Sequence, residues 1–507
     1  MAEPVAPPKT CLVTGATGYI GGRLVPELLA AGHRVRVMTR TPERLRDHPW
    51  AGRVEVARAD AGDAEAVAAA CAGVDVVYYL VHALGTGPEF EETDRRTARV
   101  VAGAARDAGV GRLVYLGGLE PADEELSPHL RSRAEVAQIL LASGVPAVVL
   151  RAAVVLGSGS ASFEMLRYLT ERLPVMVTPR WVHSRIQPIA IRDVLRYLVG
   201  CATLPADVSR CFDIGGPDVM DYAEMMQRFA TVAGLPRRRI LPVPLFTPSL
   251  SSHWVGLITP VPAGIARPLV ESLRNTVVCG EHDIARYVPD PPGGLLGFDE
   301  AVRLAIQRVS NATVATRWSS ASVPGAPSDP LPTDPDWAGG SLYVDERTQE
   351  TTATPSALWR VVEGIGGENG WYSFRLAWEV RGWLDRAVGG VGLRRGRRSP
   401  SQLYVGDALD FWRVEEIEPG RLLRLRAEMR VPGLAWLEFH VEQEGGRTRL
   451  RQKATFRPHG LFGHVYWWAL VPFHGFVFGG MLRNTCRAAE THDQPGSPER
   501  VLVQRRQ

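Results

Sequence analysis

The sequence contains only two lysines, Lys9 and Lys453, so arginine carries almost all of its positive side-chain charge. Between Lys9 and Lys453, a reaction that needs a side-chain amine would therefore have to use another residue type. The six cysteines are scattered without a C-x-x-C pair, and no histidine cluster has the spacing of metal ligands. We expect no metal site and no disulfide framework, which is typical of a protein of the reducing cytoplasm.

Strong charge and a secretory signal are also missing. A net charge of +3 over 507 residues does not suggest a basic surface for nucleic acid, so no nucleic-acid partner is expected. The first ten residues, MAEPVAPPKT, have neither the basic nor the apolar region of a signal peptide, and we expect a cytoplasmic location. Single hydrophobic cores rarely grow beyond about 250 to 300 residues, which predicts at least two folded units.

Apolar, β-rich runs alternate with alanine-rich helical stretches from residue 10 to about residue 155. The runs are TCLVT, RVRVMT, VEVAR, VDVVYYLV, RLVYLGG and AVVLRAAVV. Strands separated by segments of helix length predict a doubly wound, parallel α/β sheet of the Rossmann type. We assign residues 1–9 to a disordered N-terminus and residues 10–310 to this domain, with a substrate subdomain from about residue 160.

The composition changes after this domain. Residues 311–340 are rich in Ser, Pro, Ala and Asp, which predicts a flexible linker. A strand at 341–354 and a helix beginning near Pro355 come next. Four alternating runs, LDFWRVEEI, RLLRLRAEMRV, LAWLEFHVEQ and RTRLRQKATFR, then predict an antiparallel meander. We assign residues 341–495 to a second domain and residues 496–507 to a tail.

A glycine motif follows the first predicted strand directly and opens the first helix. Gly15, Gly18 and Gly21 have the G-x-x-G-x-x-G spacing of a dinucleotide-binding turn. The first glycine permits a tight turn, the second lets a pyrophosphate approach, and the third lets helix and strand pack closely. The backbone N–H groups of residues 17–20 (Thr17, Gly18, Tyr19 and Ile20) would then face the phosphates.

The end of the second strand indicates which dinucleotide binds. An Asp or Glu is usual there for NAD, because a carboxylate accepts hydrogen bonds from the ribose 2′-hydroxyl. This sequence has Arg40, whose guanidinium pairs well with a 2′-phosphate, so NADP(H) is favoured over NAD(H). A solvent-exposed arginine without this role is the alternative. Asp60 after the third strand and Val81 after the fourth are further expected cofactor contacts.

TGATGYIGG, the Asp60 position and IQPIAIRDV together resemble the short-chain dehydrogenase/reductase superfamily, especially its extended and atypical members, over residues 10–310. The segments YYLVHAL, RLVYLGGL and HLRSRAEV are similar to an NmrA-like subgroup related to the Rossmann subunit of respiratory complex I. The resemblance implies an NAD(P)-dependent oxidoreductase. The whole chain also resembles bacterial fusions of such a domain to an uncharacterised SRPBCC-like domain.

The sequence departs from that superfamily where its reductases carry out proton transfer. A Ser or Thr after the fifth strand and a Tyr-x-x-x-Lys motif are expected there, but Gly117, Gly118, His129 and Arg133 occupy those places. His129 is a candidate proton donor, and Arg133 is a candidate for holding the ribose or polarising a carbonyl. The alternative is that both belong to an ordinary surface helix. His82, directly after the fourth strand, is a second acid/base candidate.

The second domain resembles the α+β helix-grip fold of START-like (SRPBCC) proteins, which implies an apolar cavity for lipid-like ligands. Segment 461–482 would be its core helix, with a membrane span or interfacial anchor as the alternative. An arginine run leaves peripheral contact with the inner face of a membrane open. That run comprises Arg394, Arg395, Arg397 and Arg398, and the tryptophans that would either line the cavity or fill the core are Trp371, Trp378, Trp412, Trp436, Trp467 and Trp468.

Three functions are consistent with these patterns. The first is an NADP(H)-dependent oxidoreductase with a degenerate active site that acts on a small apolar or lipid-like substrate. The second is a non-catalytic NADP(H)-binding sensor or assembly factor with a protein partner, suggested by the missing motif. The third is a lipid carrier that uses the second domain and keeps the Rossmann domain as a scaffold.

Overall fold

The computed structural model describes residues 7–46, 48–81, 88–121, 126–178, 180–242, 259, 261–262, 265–266, 269, 275–313, 340–366, 370–372, 402–429 and 431–493. The chain divides into two compact units, Met1–Gly340 and Ser341–Gln507. Several predicted features lie outside the described residues, namely His82, Trp378, residues 314–339 of the linker, and the arginines at 394, 395, 397 and 398.

The first unit alternates strands and helices. Its strands are β1 (Thr10–Thr14), β2 (Arg34–Thr39), β3 (Glu55–Arg58), β4 (Val76–Tyr79), β5 (Arg112–Gly118), β6 (Ala147–Ala152), β7 (Val155–Leu156), β8 (Val175–Thr178), β9 (Arg185–Ile186), β10 (Ile189–Ala190), β11 (Arg210–Ile214), β12 (Met220–Asp221) and β13 (Arg239–Pro242). Its helices are α1 (Tyr19–Ala30), α2 (Ala64–Cys71), α3 (Pro88–Asp107), α4 (Pro128–Leu141), α5 (Ala161–Arg172), α6 (Ile191–Gly200), α7 (Tyr222–Val232) and α8 (Phe298–Thr313).

The main sheet of this unit has seven parallel strands in the order β11-β6-β5-β4-β1-β2-β3. Successive residues of one strand enter different cores, since Val13 packs in the cluster on one face and Leu12 in the cluster on the other. This two-sided burial explains the nearly continuous apolar runs. The predicted doubly wound Rossmann fold is confirmed. The order reverses between β1 and β4, and ligands bind at such a point in these folds.

The region after residue 160 forms a separate core on α5, α7 and α8, which includes Phe163, Phe229 and Phe298. Three short strand pairs, β10 with β7, β12 with β9 and β13 with β8, surround it. Strand β11 instead joins the main sheet beside β6. Helix α8 continues to Thr313, so the predicted linker start at residue 311 is three residues early.

The second unit is built on an antiparallel sheet. Its elements are β14 (Tyr343–Thr351), α9 (Pro355–Glu363), β15 (Ala408–Leu409), β16 (Trp412–Glu418), β17 (Leu422–Ala427), β18 (Gly433–Glu444), β19 (Arg447–Pro458) and α10 (Gly460–Asp493). The strand order is β14-β19-β18-β17-β16-β15, with every neighbouring pair antiparallel. The strand, helix and four-run meander predicted from the sequence are all present.

Most described tryptophans of this unit pack against other aromatic rings. Trp371 lies 5.8 Å from Phe411 and 6.1 Å from Trp412 between ring centroids. Trp467 stacks on Tyr343 at 5.2 Å and on Phe456 at 5.8 Å. This mutual packing favours the solid-core alternative for these residues. Trp436, also buried, donates from its indole N–H to Glu415 at 3.0 Å.

Helix α10 is only partly a core helix. Gly463, His464, Trp467, Met481 and Leu482 are buried on its inner side, as predicted for the 461–482 segment. Its outer side is exposed, and Trp468 keeps 62% of its surface. Among the described helices, α10 alone is long and apolar enough to cross a bilayer by length and composition.

Candidate cofactor and active site

The glycine turn between β1 and α1 is shaped by two close backbone approaches. Gly15 has a φ of +69°, in the left-handed region that glycine adopts without strain. A Cβ at Gly15 would lie 2.7 Å from the carbonyl oxygen of Leu80. A Cβ at Gly21 would lie only 2.4 Å from the carbonyl oxygen of Gly15. Only glycine therefore fits at these two positions, and the turn can hold a phosphate against backbone.

The first turn of α1 presents backbone donors at this turn. Gly18 donates to the Gly15 carbonyl at 2.9 Å and forms the N-cap of the helix, with no side chain to cap it. The N–H groups at a helix start have no intrahelical acceptor and attract anions. The Tyr19 side chain is turned elsewhere, because its ring lies under Arg23 at 4.2 Å and its hydroxyl lies against Gly157. Residues 17–21 thus offer mainly backbone to a pyrophosphate.

A threonine hydroxyl fixes the end of β4 beside this turn. Thr14 donates from Oγ1 to the Tyr78 carbonyl at 3.0 Å and accepts the Leu80 N–H at 2.9 Å. As a result, the Val81 backbone nitrogen lies close to the glycine turn, 3.5 Å from the position that a Cβ on Gly15 would occupy. The structure therefore brings Val81 to the glycine turn, as expected from its place after the fourth strand.

Arg40 and Asp60 lie close together at the carboxyl ends of the two outer strands, β2 and β3. Arg40 follows β2 directly, Asp60 lies just beyond β3, and their side chains form an ion pair at 3.7 Å. Asp60 also accepts the Gly62 N–H through Oδ1 at 2.8 Å. The Arg40 side chain keeps 79% of its surface and that of Asp60 keeps 55%, so both can reach a ligand. Their carboxyl-end position beside the glycine turn fits the adenosine half of a dinucleotide.

Three groups fix the guanidinium of Arg133 near the end of β5. Helix α4 begins after Ser127, whose hydroxyl accepts the Leu130 N–H at 3.3 Å. His129 and Arg133 are four residues apart on this helix and therefore lie on one face of it. Arg133 donates from Nε to Nε2 of His129 at 3.2 Å and from Nη1 to the Leu116 carbonyl at 3.2 Å. A hydrogen bond with the Tyr115 hydroxyl is the third restraint.

The same contacts keep His129 neutral. Burial, and then the positive charge of Arg133, lower the pKa of His129 to about 3. Because Nε2 accepts the Arg133 donor, it carries no proton of its own. A neutral Nε2 that accepts this bond does not support proton donation by His129 near neutral pH, and the catalytic role of His129 stays a prediction. His129 is instead an acceptor that orients Arg133.

Gly117 and Gly118 are the last residues of β5, at the place where the family resemblance predicts the hydroxyl of a Ser or Thr. A Cβ at Gly118 would lie 2.9 Å from Leu130 and 3.6 Å from the Arg133 side chain. A Cβ at Gly117 would lie 3.2 Å from the Tyr115 ring. The close packing of α4 and Tyr115 explains why small residues occupy this strand end.

No sequence motif singles out Tyr115, because it lies within the apolar strand run RLVYLGG. Burial raises its pKa, and the hydroxyl is therefore protonated at neutral pH. Its bond to Arg133 could have been inferred only from the spatial pairing of β5 with α4. Within the described parts of the chain, no group of three or more His, Cys, Asp or Glu side chains could hold a metal ion.

These features define a Rossmann domain whose glycine cradle and sheet edge accept a dinucleotide. A family described as NAD(P)H-binding matches residues 15–162. A second family, described as a protein of unknown function (DUF2867), matches residues 337–481.

A ceramide reductase of Caulobacter vibrioides is 30% identical over 302 residues, which cover 57% of this chain and 92% of the relative. A mitochondrial NADH dehydrogenase 1 alpha subcomplex subunit 9 of Arabidopsis thaliana is 24% identical, over 52% of this chain and 67% of the relative. The structure of the Citrobacter sp. triphenylmethane reductase complexed with NADP(H) covers 58% of this chain and 99% of its own, with 22% identity and a TM-score of 0.47. The chain belongs to the NAD(P)H-binding, short-chain dehydrogenase/reductase-like family that includes the ceramide reductase.

Proposed function

We propose that the protein is an NADP(H)-dependent oxidoreductase that acts on an apolar, lipid-like substrate. The observation that carries the cofactor preference is the exposed guanidinium of Arg40, which stands where an NAD site has an acidic residue. Asp60 holds it only at 3.7 Å, and an exposed pair of this kind contributes little stability. A 2′-phosphate can therefore take over the guanidinium with two charge-assisted hydrogen bonds.

Arg133 performs the role that a lysine has in related reductases. When bound, the dinucleotide supplies a hydride at the nicotinamide ring. Arg133 is held by His129, Leu116 and Tyr115 and is always charged, so it can bind ribose hydroxyls or stabilise the oxyanion that forms on a substrate carbonyl. Since His129 is neutral, the proton that completes carbonyl reduction comes from solvent or from the Tyr115 hydroxyl.

The substrate class follows from two lines of support. The related ceramide reductase is named for a lipid substrate, and it aligns over 92% of its own length. The second unit has the order of strand, helix, antiparallel sheet and terminal helix that resembles the SRPBCC class, which binds apolar ligands. We include membership of that class in the proposal.

The test is NADPH oxidation with long-chain ketones, enals and quinones as substrates. Arg133→Gln is expected to lose turnover, while Arg131→Gln, on an exposed turn of the same helix, is expected to retain it. Because the Tyr115 hydroxyl also restrains Arg133, Tyr115→Phe is read from the pH profile: a tyrosine donor changes the pH dependence of kcat, whereas a lost restraint lowers kcat by the same factor at every pH. Background oxidation across the whole panel, with intact NADPH binding, would contradict the proposal.

A non-catalytic NADP(H)-dependent assembly factor is the second candidate. It is favoured by the absence of a hydroxyl at Gly117 and Gly118, by the neutral His129, and by the similarity to a respiratory-complex subunit. In this case NADPH should raise the melting temperature and promote capture of a protein partner. A Gly18→Val/Arg40→Glu variant that captures the same partner equally well would count against it.

A further inference from the structure

The outer face of α10 between Leu461 and Phe476 is apolar and exposed. Phe462 keeps 73% of its surface, Phe473 61% and Phe476 81%. Leu461, Val465, Trp468 and Val471 are also exposed on this segment. Soluble proteins rarely leave such a contiguous apolar patch in water unless it meets a partner or a membrane. We call the exposed side of residues 461–476 the apolar face.

The polar side chains of the same segment point inward. His464 shares a hydrogen bond with the Tyr343 hydroxyl at 2.8 Å, and His474 lies 3.4 Å from the Asp345 carboxylate. Both partners are on β14. A surface helix in water normally has the reverse arrangement, with apolar residues inside and polar residues outside. The outer side of this helix segment is therefore suited to contact with an apolar environment.

Arginines continue this face toward the end of the helix. At 100° per residue, Arg483 and Arg487 follow Phe476 by seven and eleven positions and lie within about 20° of it around the helix axis. Neither forms an ion pair with a carboxylate among the described residues, and no Asp or Glu occurs from residue 461 to residue 489. Glu490 interacts electrostatically with Arg487 but is a single carboxylate beside two arginines, so a net positive charge follows the apolar face.

We propose that the apolar face inserts into the surface of a bilayer that contains anionic lipids, with Arg483 and Arg487 on the headgroups. The helix cannot cross the bilayer in this packing, because Trp467 and Met481 are buried on its inner side. It instead lies in the plane of the membrane interface, where the 16-residue segment 461–476 that carries the apolar face would extend about 24 Å. Self-pairing of residues 461–489 with a second copy is disfavoured because this segment has no acidic side chain for the arginines.

Flotation of the full chain with vesicles tests this surface. We expect binding to phosphatidylcholine vesicles that contain phosphatidylglycerol, and weaker binding to phosphatidylcholine alone. Trp468→Ser/Phe473→Ser/Phe476→Ser should abolish flotation, whereas Tyr404→Ser/Val405→Ser, at exposed apolar residues elsewhere in this unit, should not change it. NADPH binding should stay unchanged in both variants, which shows that the first unit is folded.

The charged part of the surface has its own readout. Arg483→Gln/Arg487→Gln should weaken binding roughly fivefold for each arginine removed, and added salt should weaken wild-type binding in the same direction. The proposal is overturned if the wild-type chain does not float, or if the apolar-face variant floats equally well. It is also overturned if that variant abolishes only a concentration-dependent dimer measured by sedimentation velocity.

Discussion

Arg133 donates its Nε–H to Nε2 of His129 across 3.2 Å, one turn apart on α4. The resemblance to short-chain dehydrogenases/reductases predicts a tyrosine and a lysine at these two positions, with the lysine lowering the pKa of the tyrosine proton donor. Here the cation acts on a base, and its charge lowers the pKa of the imidazole further below neutrality. The pair therefore keeps an oriented guanidinium but has no acid at the histidine position.

The first prediction concerns stability in acid. Burial and Arg133 hold the folded-state pKa of His129 at about 3, below its ordinary value of 6.5. Between these values the unfolded chain binds more protons, so stability falls as the pH is lowered through this window. The loss is at most about 1.4 kcal/mol per pH unit. His129→Gln should flatten this dependence, measured as the melting temperature of the first unit from pH 7 to pH 4.

A control at another histidine separates this effect from general acid unfolding. His183 of the same unit is about half exposed, with 53% of its side chain accessible, and it pairs with Asp221 at the surface. His183→Gln removes a surface histidine of the same unit, and its slope against pH is compared directly with that of His129→Gln. If His129→Gln shows the same slope as the wild type, the buried neutral imidazole is refuted.

Cofactor preference should follow Arg40. Arg40→Gln removes charge-assisted hydrogen bonds to the 2′-phosphate, so NADPH affinity should fall about 10- to 100-fold while NADH affinity is unchanged. Asp60→Asn removes the carboxylate that competes for Arg40 but keeps a side-chain acceptor for a cofactor contact, so NADPH binding should tighten by a small factor. Isothermal titration measures both. The matched control is Arg53→Gln, an exposed arginine just before the amino end of β3, away from the carboxyl ends where Arg40 and Asp60 lie.

The glycine turn gives a steric prediction. A Cβ at Gly21 would meet the Gly15 carbonyl oxygen at 2.4 Å, so Gly21→Ala must push α1 away from β1. We expect a loss of roughly 1 to 3 kcal/mol and a weaker NADPH-induced rise in melting temperature. Gly103→Ala is the control, because its Cβ would have no neighbour within 4 Å on α3. It should stabilise the protein by roughly 0.5 to 1 kcal/mol. Equal melting of the two variants would contradict the prediction.

The sequence predicted the fold of the first unit well because the central β-runs of the main sheet are buried on both faces, whereas β3 at the edge is largely exposed. The runs RVRVMT and RLVYLGG match β2 and β5 residue for residue. The glycine spacing and Arg40 are local signals and could be placed without a structure. The assignment of β11 to the main sheet depends on its pairing with β6, more than 50 residues earlier, and required coordinates.

The behaviour of the active-site residues could not be predicted in the same way. A sequence shows that His129 and Arg133 share a helix face, but burial and tautomer depend on what packs over that face. Tyr115 alternates with apolar neighbours and carries no sequence signal. The exposure of the outer side of α10 could not be predicted for a related reason, since a continuous apolar run does not reveal which side of a helix is covered.

The second unit offers a prediction on a buried charge row. Arg424 donates from Nε to Glu438 at 3.0 Å and lies 2.8 Å from Glu416, and His440 approaches the other oxygen of Glu438 at 3.0 Å. Burial alone would raise the pKa of Glu438, but the His440 and Arg424 contacts outweigh it and lower the value. A carboxylate with a lowered pKa stabilises the fold above its unfolded pKa and loses that contribution as the pH falls.

Glu438→Gln should therefore cost roughly 1 to 3 kcal/mol at neutral pH, because it weakens charge-assisted bonds to a buried guanidinium. The difference from the wild type should narrow below about pH 4.5, the ordinary pKa of a glutamate. Glu442→Gln is the matched control on the same face of β18, where a partly exposed pair with Arg451 contributes only about 0 to 1 kcal/mol. Chemical unfolding of the second unit at pH 7 and pH 4 measures both. Equal costs for the two variants, or a Glu438→Gln deficit unchanged in acid, would show that the buried charge row does not stabilise this sheet.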